Sequence, residues 1–150
     1  MKFLVSFCVV VFCSLNAFAH DEGHGPKLGD QPKFGGLVAA VIDHLEVDKG
    51  RQAKLLYKAE LTKNAKGVVR VYFYDTKMKP ISIQSAAAAD AELIHRDKKS
   101  KKWISKSFKL EKKEDFYEGS LPLKPRPPFN IDIKVDSNGK KLFIAFDNLS

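Results

Sequence analysis

The chain is short of nearly everything that advertises catalysis or covalent cross-linking. Its 150 residues include two cysteines, Cys8 and Cys13, so nothing after residue 13 offers a disulfide, a thiolate nucleophile or a soft sulfur ligand. Of its two methionines only Met78 lies beyond the first residue, which leaves no Met-lined Cu(I) site. There is no Gly-x-Ser-x-Gly elbow, no phosphate-cradling glycine loop and no motif around paired carboxylates, and the expectation is a protein that is not an enzyme. Long apolar runs are scarce too. Phe3 to Leu15 is the longest, and its thirteen residues fall below the roughly 20 that a membrane-crossing helix needs. Acidic charge is also in deficit, with 18 Asp and Glu against 26 Lys and Arg, for a formal charge of +8.

What is present begins with that apolar run. Lys2 precedes it and Ala17-Phe18-Ala19 follows, the small-x-small pattern that signal peptidase accepts. Residues 1–19 therefore read as a signal peptide and the mature chain as starting at His20. The expected location is the periplasm of a bacterium or the secreted fraction, because exported eukaryotic domains of this size so often carry disulfides. Without Lys2 the balance is 25 basic to 18 acidic residues, a charge of +7. Such an excess suits an acidic partner or polymer in the envelope, and export removes ordinary nucleic-acid binding.

Residues 20–36 contain five glycines and two prolines with few apolar residues, and predict a flexible leader. Residues 37–150 are punctuated like a β domain. Runs such as Val68 to Tyr74 and Phe129 to Val135 alternate at period two, and Asn138-Gly139 is a type I′ hairpin signal, since both residues tolerate positive φ. The pattern predicts strands over 37–47, 53–61, 67–74, 80–84, 90–96, 102–110, 114–121, 129–135 and 140–147. Nine strands suit an all-β, immunoglobulin-like antiparallel sandwich behind a flexible N-terminal leader. Four alanines at 86–89 leave a helical turn or a tight bend open there, and Leu121 to Pro128, with four prolines, reads as a stiff extended connector.

Cleavage after Ala19 would put a free α-amine, His20, Asp21, Glu22 and His24 within five residues. An N-terminal histidine can chelate through amine and ring nitrogen together, which suits Cu(II), and a second imidazole with a carboxylate completes a set for copper or zinc. The competing reading is a solvated tail whose histidines do nothing. His44 and His95 read as strand-end packing or surface residues.

Phe34-Gly35-Gly36-Leu37-Val38 behind a histidine-bearing leader, and Val71 to Tyr74 running into Asp75-Thr76-Lys77-Met78-Lys79-Pro80-Ile81, resemble the small periplasmic immunoglobulin-like domains encoded beside bacterial heavy-metal (copper) resistance and efflux systems. The resemblance implies metal handling and a metal-efflux or other envelope protein as partner. The N-terminal histidine is also similar to that of CopC-type copper-binding proteins, whose β-sandwich binds copper through that residue. Only His20 carries over from them.

Successive loops of a sandwich alternate between its two ends. Nine strands would therefore gather Lys49, Arg51, Lys77, Lys79, Lys98, Lys99, Lys101, Lys102, Lys124 and Arg126 at one end, as a surface for an acidic partner, with His44 and His95 on the same side.

Overall fold

The computed structural model describes residues 24–150. Eight strands, β1 Leu37–Asp43, β2 Tyr57–Lys63, β3 Val68–Tyr74, β4 Ala88–Arg96, β5 Trp103–Lys112, β6 Phe116–Ser120, β7 Phe129–Ser137 and β8 Lys140–Leu149, form one closed antiparallel barrel in the order β1-β2-β3-β6-β5-β4-β7-β8. Each alternates as its sequence dictates. Ile131, Ile133 and Val135 of β7 and Leu142, Ile144 and Phe146 of β8 point inward, join Leu61, Val71, Leu93 and Leu110, and fill the barrel with side chains. Charged residues such as Arg70, Asp90, Lys109 and Lys134 are exposed on the outer face, the reverse of a barrel whose wall meets lipid. Among the described residues no helix is long and apolar enough to cross a membrane.

The immunoglobulin-like sandwich is thus corrected to a barrel. Two short seams join what would otherwise be two sheets. Val41, Ile42 and Asp43 of β1 pair with Ile144, Phe143 and Leu142 of β8, and Glu111 and Lys112 of β5 pair with Glu118 and Tyr117 of β6. Period-two alternation is the same in an open and a closed sheet, because it reports which side chains face inward and not whether the edges meet.

One expected strand, 80–84, is not formed. Residues 75–87 make a loop in which only Pro80 bridges to Tyr74 and Ser85 to Ser137, and Tyr117 donates its hydroxyl to the Ala86 carbonyl. The alanines divide accordingly: Ala86 and Ala87 lie in the loop, Ala88 opens β4, and Ala89 is buried in the core. The Asp75 carboxylate accepts the backbone N–H groups of Lys77 and Lys79, so Asp-x-x-x-Lys-Pro is a turn device here. Asn138 and Gly139 adopt φ of 50° and 74°, as a type I′ turn requires.

Dropping one strand reverses the end assignment of every later loop. The loops 44–56, 75–87, 113–115 and 138–139 share one end, called here the upper end, while 64–67, 97–102 and 121–128 share the lower end.

Candidate functional site

The leader is where the structure departs furthest from a free tail. Residues 24–36 have no helix or strand, as their glycines and prolines predict, yet they run along the outside of β1, β2 and β8. Over these residues the leader expected to be flexible is held to the barrel wall by hydrogen bonds and packing.

Glu60 of β2 does the latching. Its side chain points out of the barrel and is completely buried beneath the leader. One carboxylate oxygen accepts the backbone N–H of Phe34 and Gly36 at 2.8 and 2.9 Å, and the other accepts the N–H of Lys33 at 2.8 Å and the Tyr74 hydroxyl at 3.0 Å. Burial works against the charge, but four donors outweigh it and hold the Glu60 carboxyl below the usual range, while burial and the Glu60 contact push the Tyr74 hydroxyl up. Lys58, also buried, reaches the Asp30 carboxylate at 2.7 Å. The Gly-Gly pair has its own reason. Gly35 has a φ of 72°, and a methyl group on Gly36 would lie 2.2 Å from the Leu61 carbonyl oxygen, so only glycine lets the leader cross β2 this closely.

Farther back, Leu28 packs with Ala40, Ile42, Ala53 and Phe143 in a small apolar cluster outside the barrel wall. This brings His24 edge-on to Phe143, with ring centroids 5.8 Å apart, while His44 lies 6.0 Å from the same ring. The His44 Nδ1 is buried and has no hydrogen-bond partner among the described residues. Beside them runs a groove of about 320 Å³ lined by His24, Pro26, Leu28, Arg51, Ala145 and Asp147.

Next to Ala145 on the outer face stands Asp132 of β7. Its carboxyl is pushed up to about 6, chiefly by burial and further by the like charges of Asp147 and Glu92, with His24 and Lys134 pulling the other way. The structure therefore sets His24 within electrostatic reach of a carboxyl that is costly to ionise. A cation would relieve that cost.

Of the residues expected to bind metal, His20, Asp21 and Glu22 lie outside the described residues. His24 stands at the groove. Among the described residues, no three His, Cys, Asp or Glu side chains come together as a ready-made metal site. Asp132 and Asp147 carried no signal in the sequence, since outward polar residues at period two in β7 and β8 look like any solvated strand face.

The expected basic surface is divided. Lys49, Arg51, Lys77 and Lys79 lie at the upper end, and Lys98, Lys99, Lys101, Lys102, Lys124 and Arg126 at the lower. His44 and His95 fall at opposite ends for the same reason. His95 faces inward at 9% exposure, and its Nε2 is buried without a partner among the described residues, in keeping with a packing role.

No family model matches the chain, and no curated protein and no solved structure matches it either.

Proposed function

We propose that the protein binds a divalent transition metal, copper or zinc, through residues 20–24 exposed by removal of a signal peptide, and serves the bacterial envelope as a buffer, carrier or resistance accessory. The observation that carries this reading is the seating of His24. A solvated tail has no reason to be latched by a buried glutamate, whereas here the latch delivers an imidazole to a groove holding Asp147 and within reach of the Asp132 carboxyl. In this reading His24 supplies one donor, His20 with its α-amine supplies a chelating pair, and Asp21 or Glu22 assists. Asp132 and Asp147 add negative charge beside the ion, as oxygen ligands or as outer partners that orient an imidazole.

The test is a Cu(II) and Zn(II) titration of the mature protein against a form carrying one extra N-terminal residue and against His24→Ala. Capping the amine is expected to lower copper affinity tenfold or more, and His24→Ala to weaken both metals by about the same factor. Equally poor binding by all three forms, weaker than about millimolar, would end the metal reading.

A further inference from the structure

The two ends of the barrel differ in charge. The lower loops, 64–67, 97–102 and 121–128, carry seven basic residues, Lys66, Lys98, Lys99, Lys101, Lys102, Lys124 and Arg126, against the single acid Asp97. That acid is occupied within its own turn, where its carboxylate accepts the backbone N–H groups of Lys99 and Ser100 and the Ser100 hydroxyl. The upper loops are nearly balanced, with six basic residues against five acidic.

At the rim of the basic end stands Trp103, the chain's one tryptophan, 44% exposed. It shares a groove of about 320 Å³ with Arg96, Lys98, Lys101, Arg126 and Pro127. An indole left part-exposed among cations is the composition that settles at a membrane-water interface, where the ring takes the headgroup level and the cations meet anionic lipid.

We infer that the lower end of the barrel docks on an anionic lipid surface, with Trp103 entering the headgroup layer. The distribution of charge favours a plane over a chain. A linear acidic polymer lying in the groove would meet Arg96, Lys98, Lys101 and Arg126, around two of the three loops, and leave Lys66, on the third, without contact. A plane laid across the end of the barrel meets all three loops at once. The inference is independent of the metal reading, since it uses neither the leader nor the outer face of β7 and β8.

Trp103 is its own reporter. The mature protein would be mixed with phosphatidylcholine vesicles, with vesicles containing about one third phosphatidylglycerol, and with a soluble polyuronate. Binding is read by co-sedimentation or retardation and by the tryptophan emission spectrum. The expected result is binding to the anionic vesicles alone, a blue shift of the emission, and loss of both at high salt. The triple variant K98E/K101E/R126E should lose about a hundredfold in partitioning, whereas K49E/K77E/K79E at the upper end should lose less than about threefold. W103F should weaken binding severalfold while leaving the circular dichroism spectrum unchanged.

Several outcomes overturn the proposal. They are equal binding to neutral vesicles, no binding to either kind, binding without a shift in emission, or equal loss from the two triple variants. Tight binding to the polyuronate with none to vesicles would reassign the same surface to a polymer.

Discussion

Two carboxylates on the outer face of the barrel, Glu60 on β2 and Asp132 on β7, meet opposite fates under the same physics. Glu60 is the more deeply buried, yet it stays charged, because three backbone N–H groups of the leader and the Tyr74 hydroxyl donate to it. For Asp132 burial outweighs the pull of His24 and Lys134 and pushes the carboxyl up to about 6, with Asp147 and Glu92 adding like charge. Burial alone does not decide whether a carboxyl ionises. What faces it does. The first carboxylate is finished by the protein's own backbone and acts as a structural rivet, whereas the second stays costly to ionise beside a histidine, the condition in which an added cation gains most.

The largest way to break this comparison is Glu60→Ala. It strips the acceptor from four donors, and about 2 to 4 kcal/mol of stability should be lost in urea unfolding, with hydrogen exchange at Lys33, Phe34 and Gly36 rising before the barrel opens. Unchanged protection at those amides would mean the leader is held by something else. Gly36→Ala comes next. Its methyl group would collide with the Leu61 carbonyl of β2, and a loss of about 1 to 3 kcal/mol is expected together with the same local loss of protection.

Asp132→Asn should act in the opposite direction and by less. Removing a carboxylate that is costly to ionise is expected to stabilise the metal-free protein by about 1 kcal/mol at pH 7.5, after allowance for solvent screening. It should also weaken Zn(II) binding. A variant that is both less stable and unaltered in zinc affinity would remove Asp132 from the account.

The two groups also predict opposite slopes with pH. Glu60 has a folded pKa below its unfolded one, so its contribution is in force above about pH 4.3 and is lost as pH falls through the lowered value. Asp132 has a folded pKa raised to about 6, so the folded state binds the extra proton between roughly pH 4 and 6, and stability falls as pH rises across that window. Denaturation midpoints of Glu60→Gln and Asp132→Asn, followed from pH 3 to 8, should separate the two. A flat difference curve for Asp132→Asn between about pH 4 and 6 would contradict its assignment.

How far the letters reveal this depends on the scale of the feature. Local chemistry is readable. Asn138-Gly139 turns as its tolerance of positive φ demands, eight expected strands have counterparts in β1 to β8, and the Gly-Gly pair marks a place where the backbone does something that other residues cannot. Ile81-Ser82-Ile83 is readable only in part: it alternates like a strand, Ile83 is buried and Ile81 donates its N–H to the Phe73 carbonyl, but the pairing does not extend beyond the bridge at Pro80 into a strand. Closure of the barrel depends on seams of three and two residue pairs that no periodicity announces. The latch is the hardest to read. Lys58 and Glu60 alternate with apolar residues in β2 as any solvent-facing pair would, and only the leader folding back over them turns the pair into the most buried charges described. The site inherits that difficulty, because His24 stood out in the sequence while Asp132 and Asp147 did not.

The most direct test of the central claim is a Zn(II) titration of the mature, isotopically labelled protein followed residue by residue by nuclear magnetic resonance, with zinc chosen because it is diamagnetic. The account predicts saturable changes at the imidazoles of His20 and His24 and at the backbone amides of Asp132, Ala145 and Asp147, with the Lys33 to Gly36 amides undisturbed and the Asp132 carboxyl titrating well below 6 once zinc is bound. Changes confined to the lysine-rich loops or to His95, or no saturable change up to millimolar zinc, would contradict it.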